Sequence, residues 1–299
     1  MPNLDGILLR VADRCGAIEG EPAPLSGGMT NRNYRVTLGG RDYVLRLPGK
    51  DTGLLGIDRR AELLAARQAA SLAIAPDLVY ADEDCSLTVY VEGAQPVERE
   101  RLLADPAPYA RALRAFHDSG LELPTRFWMP ELLADYETLL RARGVTPPPA
   151  FNRARELVDR IARVLPLTDP APCHDDLLPG NVLAAGDRAL LVDWEYAGMG
   201  HRLFDLANLA VNNEFDEAAE ARLLEAYYDQ GPVRPGQSAA LRLMKLVSDA
   251  REAAWGVVQE QISELDFDFA GYAAEHFERL ERAASDTRLE EYLRDAAQA

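Results

Sequence analysis

Three side chains in one short segment, Asp176, Asn181 and Asp193, have the types and spacing needed to move a phosphoryl group. The segment reads Cys173-His174-Asp175-Asp176-Leu177-Leu178-Pro179-Gly180-Asn181, turns at Gly186-Asp187, and returns as Leu190-Leu191-Val192-Asp193-Trp194-Glu195. Its first part has the H-x-D-x-x-x-x-N spacing in which the Asp accepts a hydroxyl proton and the Asn holds a metal. Transfer from ATP requires Mg²⁺ to neutralise phosphate charge, and Mg²⁺ takes hard oxygen ligands. Asn181 and Asp193 are the expected ligands, because a hairpin brings the end of the apolar strand back to Asn181. Asp176 is the expected catalytic base.

Such residues need elements to hold them, and the chain has two regions of different pattern. From about residue 23 to 93 the signals are mostly β. Residues 34–38 alternate as a strand, Gly39-Gly40 is a hairpin turn, and residues 42–47 return. A helix is expected over 58–73, stopping before Pro76, followed by strands at 78–80 and 86–91 around the Asp82-Glu83-Asp84 turn. Beyond Gly93 the pattern is helical: Asp105-Pro106 reads as a helix start, and Gly144 with Pro147-Pro148-Pro149 as a helix end. Only residues 181–194 interrupt with β structure. The expectation is an α+β chain, with a β-rich nucleotide-binding lobe at 1–95 and a helical catalytic and acceptor-binding lobe at 96–299.

Bulk properties narrow the partners. The 299 residues are 47% hydrophobic and 27% charged, ordinary for a packed globular chain. A formal net charge of −17 argues against nucleic acid, whose phosphates call for clustered Lys and Arg, and weakly favours a cationic partner. Cys15, Cys85 and Cys173 have no CxxC spacing, which suits a reducing cytoplasm. No signal peptide, membrane span or internal repeat is expected.

The segments HDDLLPGNVL and LVDWEYAGMGHRLFDLANLAVNN resemble the choline/ethanolamine kinase family, particularly its bacterial choline-kinase branch, which is related to the aminoglycoside phosphotransferases. The likeness runs from about Leu25 to Leu280 and implies the two-lobed protein-kinase-like fold, with ATP and Mg²⁺ as cofactors. By resemblance, residues 25–34 are similar to the family's nucleotide-covering loop, where Ser26, Gly28, Thr30 and Asn31 would meet the phosphates. Arg46 is similar to the phosphate-pairing cation, Glu62 is its expected ion-pair partner, and Val89 to Glu92 would be the hinge, with Val89 and Val91 against adenine. His174 is expected to brace the loop, and Arg202 and Asp205 resemble the motif that ties it down. His117, Trp128 and Trp194 are expected to pack structurally.

The resemblance also implies a small cationic alcohol as acceptor, most of all choline. Glu252 and Trp255 are three apart on a helix and so share a face. With Tyr196 and Tyr272 they would form an aromatic site for an ammonium group, with Glu195 or Glu252 balancing its charge. Glu252 stands where animal choline kinases have a second Trp, which keeps ethanolamine open beside choline; thiamine and aminoglycosides are further alternatives. Outside kinases, the pairs His117-Asp118 and His174-Asp175 allow a metal-dependent phosphohydrolase, and a non-catalytic nucleotide-binding module is a second rival. Oligomeric state is not legible.

Overall fold

The computed structural model describes residues 4–25, 31–49 and 52–298. The chain opens on helix α1 (Leu4–Cys15), which buries Ile7, Leu8 and Val11 on one face. Strands β1 (Ile18–Leu25), β2 (Arg32–Leu38) and β3 (Arg41–Leu47) follow as an antiparallel meander. Gly39 and Gly40 both have positive φ, 56° and 76°, the conformation a two-residue hairpin turn demands. Helix α2 (Arg59–Ser71) is capped by Asp58, whose carboxylate accepts from the Arg60 and Ala61 amides. Strands β4 (Leu78–Ala81) and β5 (Ser86–Val89) complete a sheet of order β1-β2-β3-β5-β4.

The chain continues with β6 (Gln95–Pro96), α3 (Arg99–Ala104), α4 (Ala107–His117), α5 (Met129–Ala142) and α6 (Pro149–Val164). Next come β7 (Ala171–Cys173), β8 (Val182–Ala185), β9 (Arg188–Leu191) and β10 (Gly198–Gly200). Helices α7 (Arg202–Asn212), α8 (Glu217–Tyr228), α9 (Pro235–Ile262), α10 (Phe269–Ala284) and α11 (Leu289–Ala296) close the chain. Helix α9 is buried at every position from 246 to 259, so it lies inside the lobe, packed by α5, α6, α7, α10 and α11. At Gly256 a Cβ would meet Ala273 at 3.0 Å, so the glycine lets α10 close onto α9 beside Trp255.

The small sheet on one side and the helical mass on the other give the protein-kinase-like α+β arrangement that the sequence suggests. Helix α1 and strand β1 escape the sequence reading, and so do β6, β7 and β10: β structure beyond Gly93 is not confined to residues 181–194, because strands of two or three residues are too short to show alternation. Helix α2 also differs in allegiance. It precedes the lobe boundary in the chain, yet Ala61, Ala65 and Ala69 are buried in the core continuous with the helical lobe. The Leu191 amide donates to the Ile74 carbonyl at 2.7 Å, pinning the chain after α2 to β9. The sheet instead builds its own core from α1 with Val36, Leu38, Tyr43, Leu45 and Leu87.

Candidate active site

Strand alternation aims the first site residue. Tyr43, Leu45 and Leu47 of β3 are buried against α1, so Val44 and Arg46 face the cleft between the lobes. Arg46 Nη1 donates to Glu62 Oε1 at 2.9 Å, and its Nη2 donates to Asp193 Oδ1 at 2.5 Å and Glu195 Oε2 at 2.8 Å. Arg59 shares Glu62 with it at 2.6 Å. Asn31 donates to Glu195 at 3.1 Å. Ser26, Gly28 and Thr30 lie outside the described residues.

The hairpin does what its sequence suggests. A 3-10 turn, Pro179–Asn181, leads into β8, β8 pairs with β9, and the Val192 amide donates to the Asn181 carbonyl at 3.0 Å. That bond closes the open end of the hairpin and sets Asn181 beside Asp193. Asp193 and Asp175 both have positive φ, 68° and 65°. Such backbone is costly for residues other than glycine and clusters where surrounding contacts fix a loop for function.

Asp205 supplies those contacts from α7. It is fully buried and accepts from the backbone amides of His174 (2.8 Å) and Asp175 (2.7 Å) and from His117 Nε2 (2.9 Å). Burial alone would push its carboxyl up, but the hydrogen bonds it accepts from His117 and from the His174 backbone amide hold it below the ordinary value. His174 Nε2 donates to the Val192 carbonyl at 3.0 Å, and burial depresses the imidazole to about 4, so it braces the loop as a neutral ring. Trp194 packs on it, with ring centroids 4.4 Å apart. Trp128 is half-buried.

Arg202 departs from the resemblance: its guanidinium turns outward to Asp118 rather than into the loop, because it starts α7 at the surface beside the end of α4. The two His-Asp pairs therefore part, with Asp118 at the surface and Asp175 fully buried. Among the described residues His117, Cys173 and Asp205 form the cluster with metal-like spacing. Asp205 already accepts three hydrogen bonds there, which makes the cluster a brace rather than a vacant ligand set.

Asp176 stands at the centre of the site, 5% exposed. Asn181 Nδ2 donates to its carbonyl at 2.8 Å and to its Oδ2 at 3.1 Å. Its Oδ1 meets Arg251 Nη1 at 3.0 Å. Burial raises the Asp176 carboxyl to about 8; Arg251 works against that rise, and Glu252, Asp193 and Glu195 add to it. Burial likewise raises Asp193 to about 7, with Arg46 opposing and Glu195 and Glu62 reinforcing.

Arg251 is the site residue that sequence reading passed over. It is 1% exposed, and its Nη1 bonds both oxygens of Glu252 at 2.9 Å. The available signal is an adjacent Arg-Glu pair inside the otherwise apolar run 250–258: charges so placed are buried, and buried charges come paired. Glu252 and Trp255 share the face their spacing predicts and line one cavity. Trp255 Nε1 donates to the Tyr196 hydroxyl at 2.8 Å, and Tyr272 donates to Glu252 at 2.8 Å. Tyr272 touches this group through Glu252 and an edge contact with Trp255, and is not among the residues that line the cavity.

Two cavities meet at these residues. One, of about 320 Å³, lies between the lobes, lined by Val44, Arg46, Val89, Val91, Leu183 and Leu191 among others. The other, of about 200 Å³, lies in the helical lobe, lined by Asp176, Glu195, Tyr196, Arg251, Glu252 and Trp255 with four others. Gly180, Asn181 and Asp193 line both. The donor set at that junction suits Mg²⁺: Asn181 turns its amide nitrogen to Asp176, which leaves its side-chain oxygen for a metal beside the Asp193 carboxylate. Charge agrees, since five carboxylates (Glu62, Asp176, Asp193, Glu195, Glu252) face three guanidiniums (Arg46, Arg59, Arg251).

Comparison with known proteins matches this architecture. LicA of Haemophilus influenzae is 29% identical over 215 residues, covering 68% of this chain; the chain thus matches 62% of that relative's length. A choline/ethanolamine kinase family protein from Mesorhizobium loti superposes with a TM-score of 0.81 at 28% identity, covering 99% of both chains. The choline kinase LicA from Streptococcus pneumoniae superposes with a TM-score of 0.78 at 26% identity, over 93% of this chain and 97% of that one. The model of the phosphotransferase enzyme family matches residues 21–238, most of the chain and every element of the catalytic loop, and the protein belongs to that family.

Proposed function

We propose that this protein is a kinase that transfers the γ-phosphoryl group of ATP to the hydroxyl of a small amino alcohol of the choline and ethanolamine class. The observation that carries this reading is the meeting of the two cavities at Asn181 and Asp193, with Asp176 on the acceptor side. In the transfer, the acceptor oxygen forms a bond to the γ-phosphorus as the bond to the bridging oxygen breaks and ADP leaves. Asp176 orients the hydroxyl and takes its proton. Arg46, held by Glu62, faces the phosphates, and residues 89–91 border the adenine. Asn181 and Asp193 would hold Mg²⁺, which supplies charge neutralisation on the phosphates.

Acceptor size is bounded by the cavity. About 200 Å³ falls below the roughly 300–1,000 Å³ of pockets that take drug-sized ligands, which favours an amino alcohol over an aminoglycoside. The three cysteines are unpaired, in keeping with a cytoplasmic enzyme, and no described helix is long and apolar enough to cross a membrane. Purified protein with ATP and Mg²⁺ should form ADP and a phosphorylated product with choline or ethanolamine. Turnover restricted to thiamine or an aminoglycoside would overturn the assignment.

The phosphate-facing role of Arg46 has its own test. Charge-assisted hydrogen bonds of this kind contribute about 1.5–3 kcal/mol each. Arg46→Ala should therefore raise KM for ATP by about tenfold or more, and more than it raises KM for the acceptor. The opposite ranking would move Arg46 out of the nucleotide site.

A further inference from the structure

The expected ammonium site already holds a cation of its own. The Arg251 guanidinium carbon lies 4.3 Å from the centroid of the Tyr196 ring, a cation–π position. Its Nη1 bonds Glu252 Oε1 and Oε2, the carboxylate expected to balance a ligand's charge, and Asp176 Oδ1. Among the described residues Arg251 Nε and Nη2 have no hydrogen-bonding partner, so the guanidinium beside the ring is not a fully engaged fork.

The remaining parts of the expected aromatic site are engaged as well. The Tyr196 hydroxyl accepts from Trp255, the Tyr272 hydroxyl donates to Glu252, and Asn208 Nδ2 lies 3.4 Å from Glu252 Oε1. Trp255 and Tyr272 pack edge to face, with ring centroids 5.6 Å apart. A trimethylammonium group makes no N–H hydrogen bond and depends on open aromatic faces for its attraction. A primary ammonium is smaller and donates three hydrogen bonds, for which the acid-rich cavity wall supplies acceptors.

We infer that Arg251 is a specificity-determining residue, a resident cation that takes the place of a quaternary ammonium on Tyr196 and Glu252 and turns the acceptor site toward primary amines. The inference rests on the amino-alcohol kinase reading and concerns the choice within that class. It reverses the preference for choline that the family resemblance implies, because that preference assumes an aromatic site without a guanidinium in it.

The test is the ratio of kcat/KM for ethanolamine to that for choline, measured with ATP and Mg²⁺ on the wild-type protein and two variants. The wild type should favour ethanolamine by about tenfold or more, the ratio that roughly 1.4 kcal/mol of discrimination gives. The double variant Arg251→Leu with Glu252→Leu removes this pair of buried charges together; it also takes a guanidinium from Asp176, which lowers turnover with both acceptors, but the ratio should still shift toward choline by about tenfold or more. Arg251→Lys keeps a cation at the position and should keep the ethanolamine preference even where kcat falls. A purely structural role for Arg251 would lower turnover with both acceptors alike and leave the ratio unmoved, which overturns the inference. A wild type that prefers choline overturns it without any variant and leaves the kinase reading intact. If neither amine supports ADP formation, the kinase reading falls and this inference falls with it.

Discussion

Replacing Asp176 by alanine is expected to lower kcat by about 10²–10⁴-fold, the contribution of a positioned general base, while ATP binding stays near the wild-type value. The structure explains why the loss should be confined to chemistry. Asn181 is anchored by the Asp176 backbone carbonyl at 2.8 Å, a group that alanine retains, so the proposed metal ligand keeps its place. Arg251 keeps Glu252 as its partner, so no buried cation is stranded. The pH dependence has a definite sign. A carboxyl raised to about 8 by burial is protonated, and useless as a base, at lower pH, so kcat/KM of the free enzyme should rise with pH up to about 8. The same shift makes ionised Asp176 a cost to folding: its stabilising contribution is complete below the ordinary Asp value and is lost as pH rises through about 8. Full turnover by a folded Asp176→Ala protein would remove Asp176 from the reaction.

Asp193→Asn should cut kcat by about 10²-fold or more and raise the Mg²⁺ concentration needed for half-maximal rate, since a metal contributes several kcal/mol to charge stabilisation. Asparagine is close in size and tolerates the left-handed backbone, with φ of 68°, that Asp193 adopts, so the loop should survive the change. Arg46 retains Glu62 and Glu195. Because burial raises Asp193 to about 7, Mg²⁺ binding must drive off a proton at lower pH, and the Mg²⁺ requirement should fall as pH rises through 7. The asparagine variant should lack that dependence. Kinetics at varied Mg²⁺ and pH check both points, and an unchanged Mg²⁺ requirement would exclude Asp193 as a ligand.

What the sequence determines here is local. The H-x-D-x-x-x-x-N spacing puts Asp176 and Asn181 in one loop, and the Gly186-Asp187 turn returns the chain to Asp193, because a hairpin's register follows from its turn and its alternation. Alternation in β3 likewise sends Arg46 to the side opposite Leu45, and the Gly39-Gly40 turn marks its hairpin. Long-range partners have no such local signature. The side chains of Arg46 and Glu195 come from positions 149 residues apart, and those of Asp176 and Arg251 from the catalytic loop and the middle of α9. The packing of α2 into the helical core and the outward turn of Arg202 were also invisible, since both depend on which surface a neighbouring element offers. Glu252 shows the division most sharply. Helical spacing places it beside Trp255, but only the tertiary structure brings the Arg251 guanidinium onto Glu252, Asp176 and the Tyr196 ring at once, and so decides what charge the acceptor cavity presents.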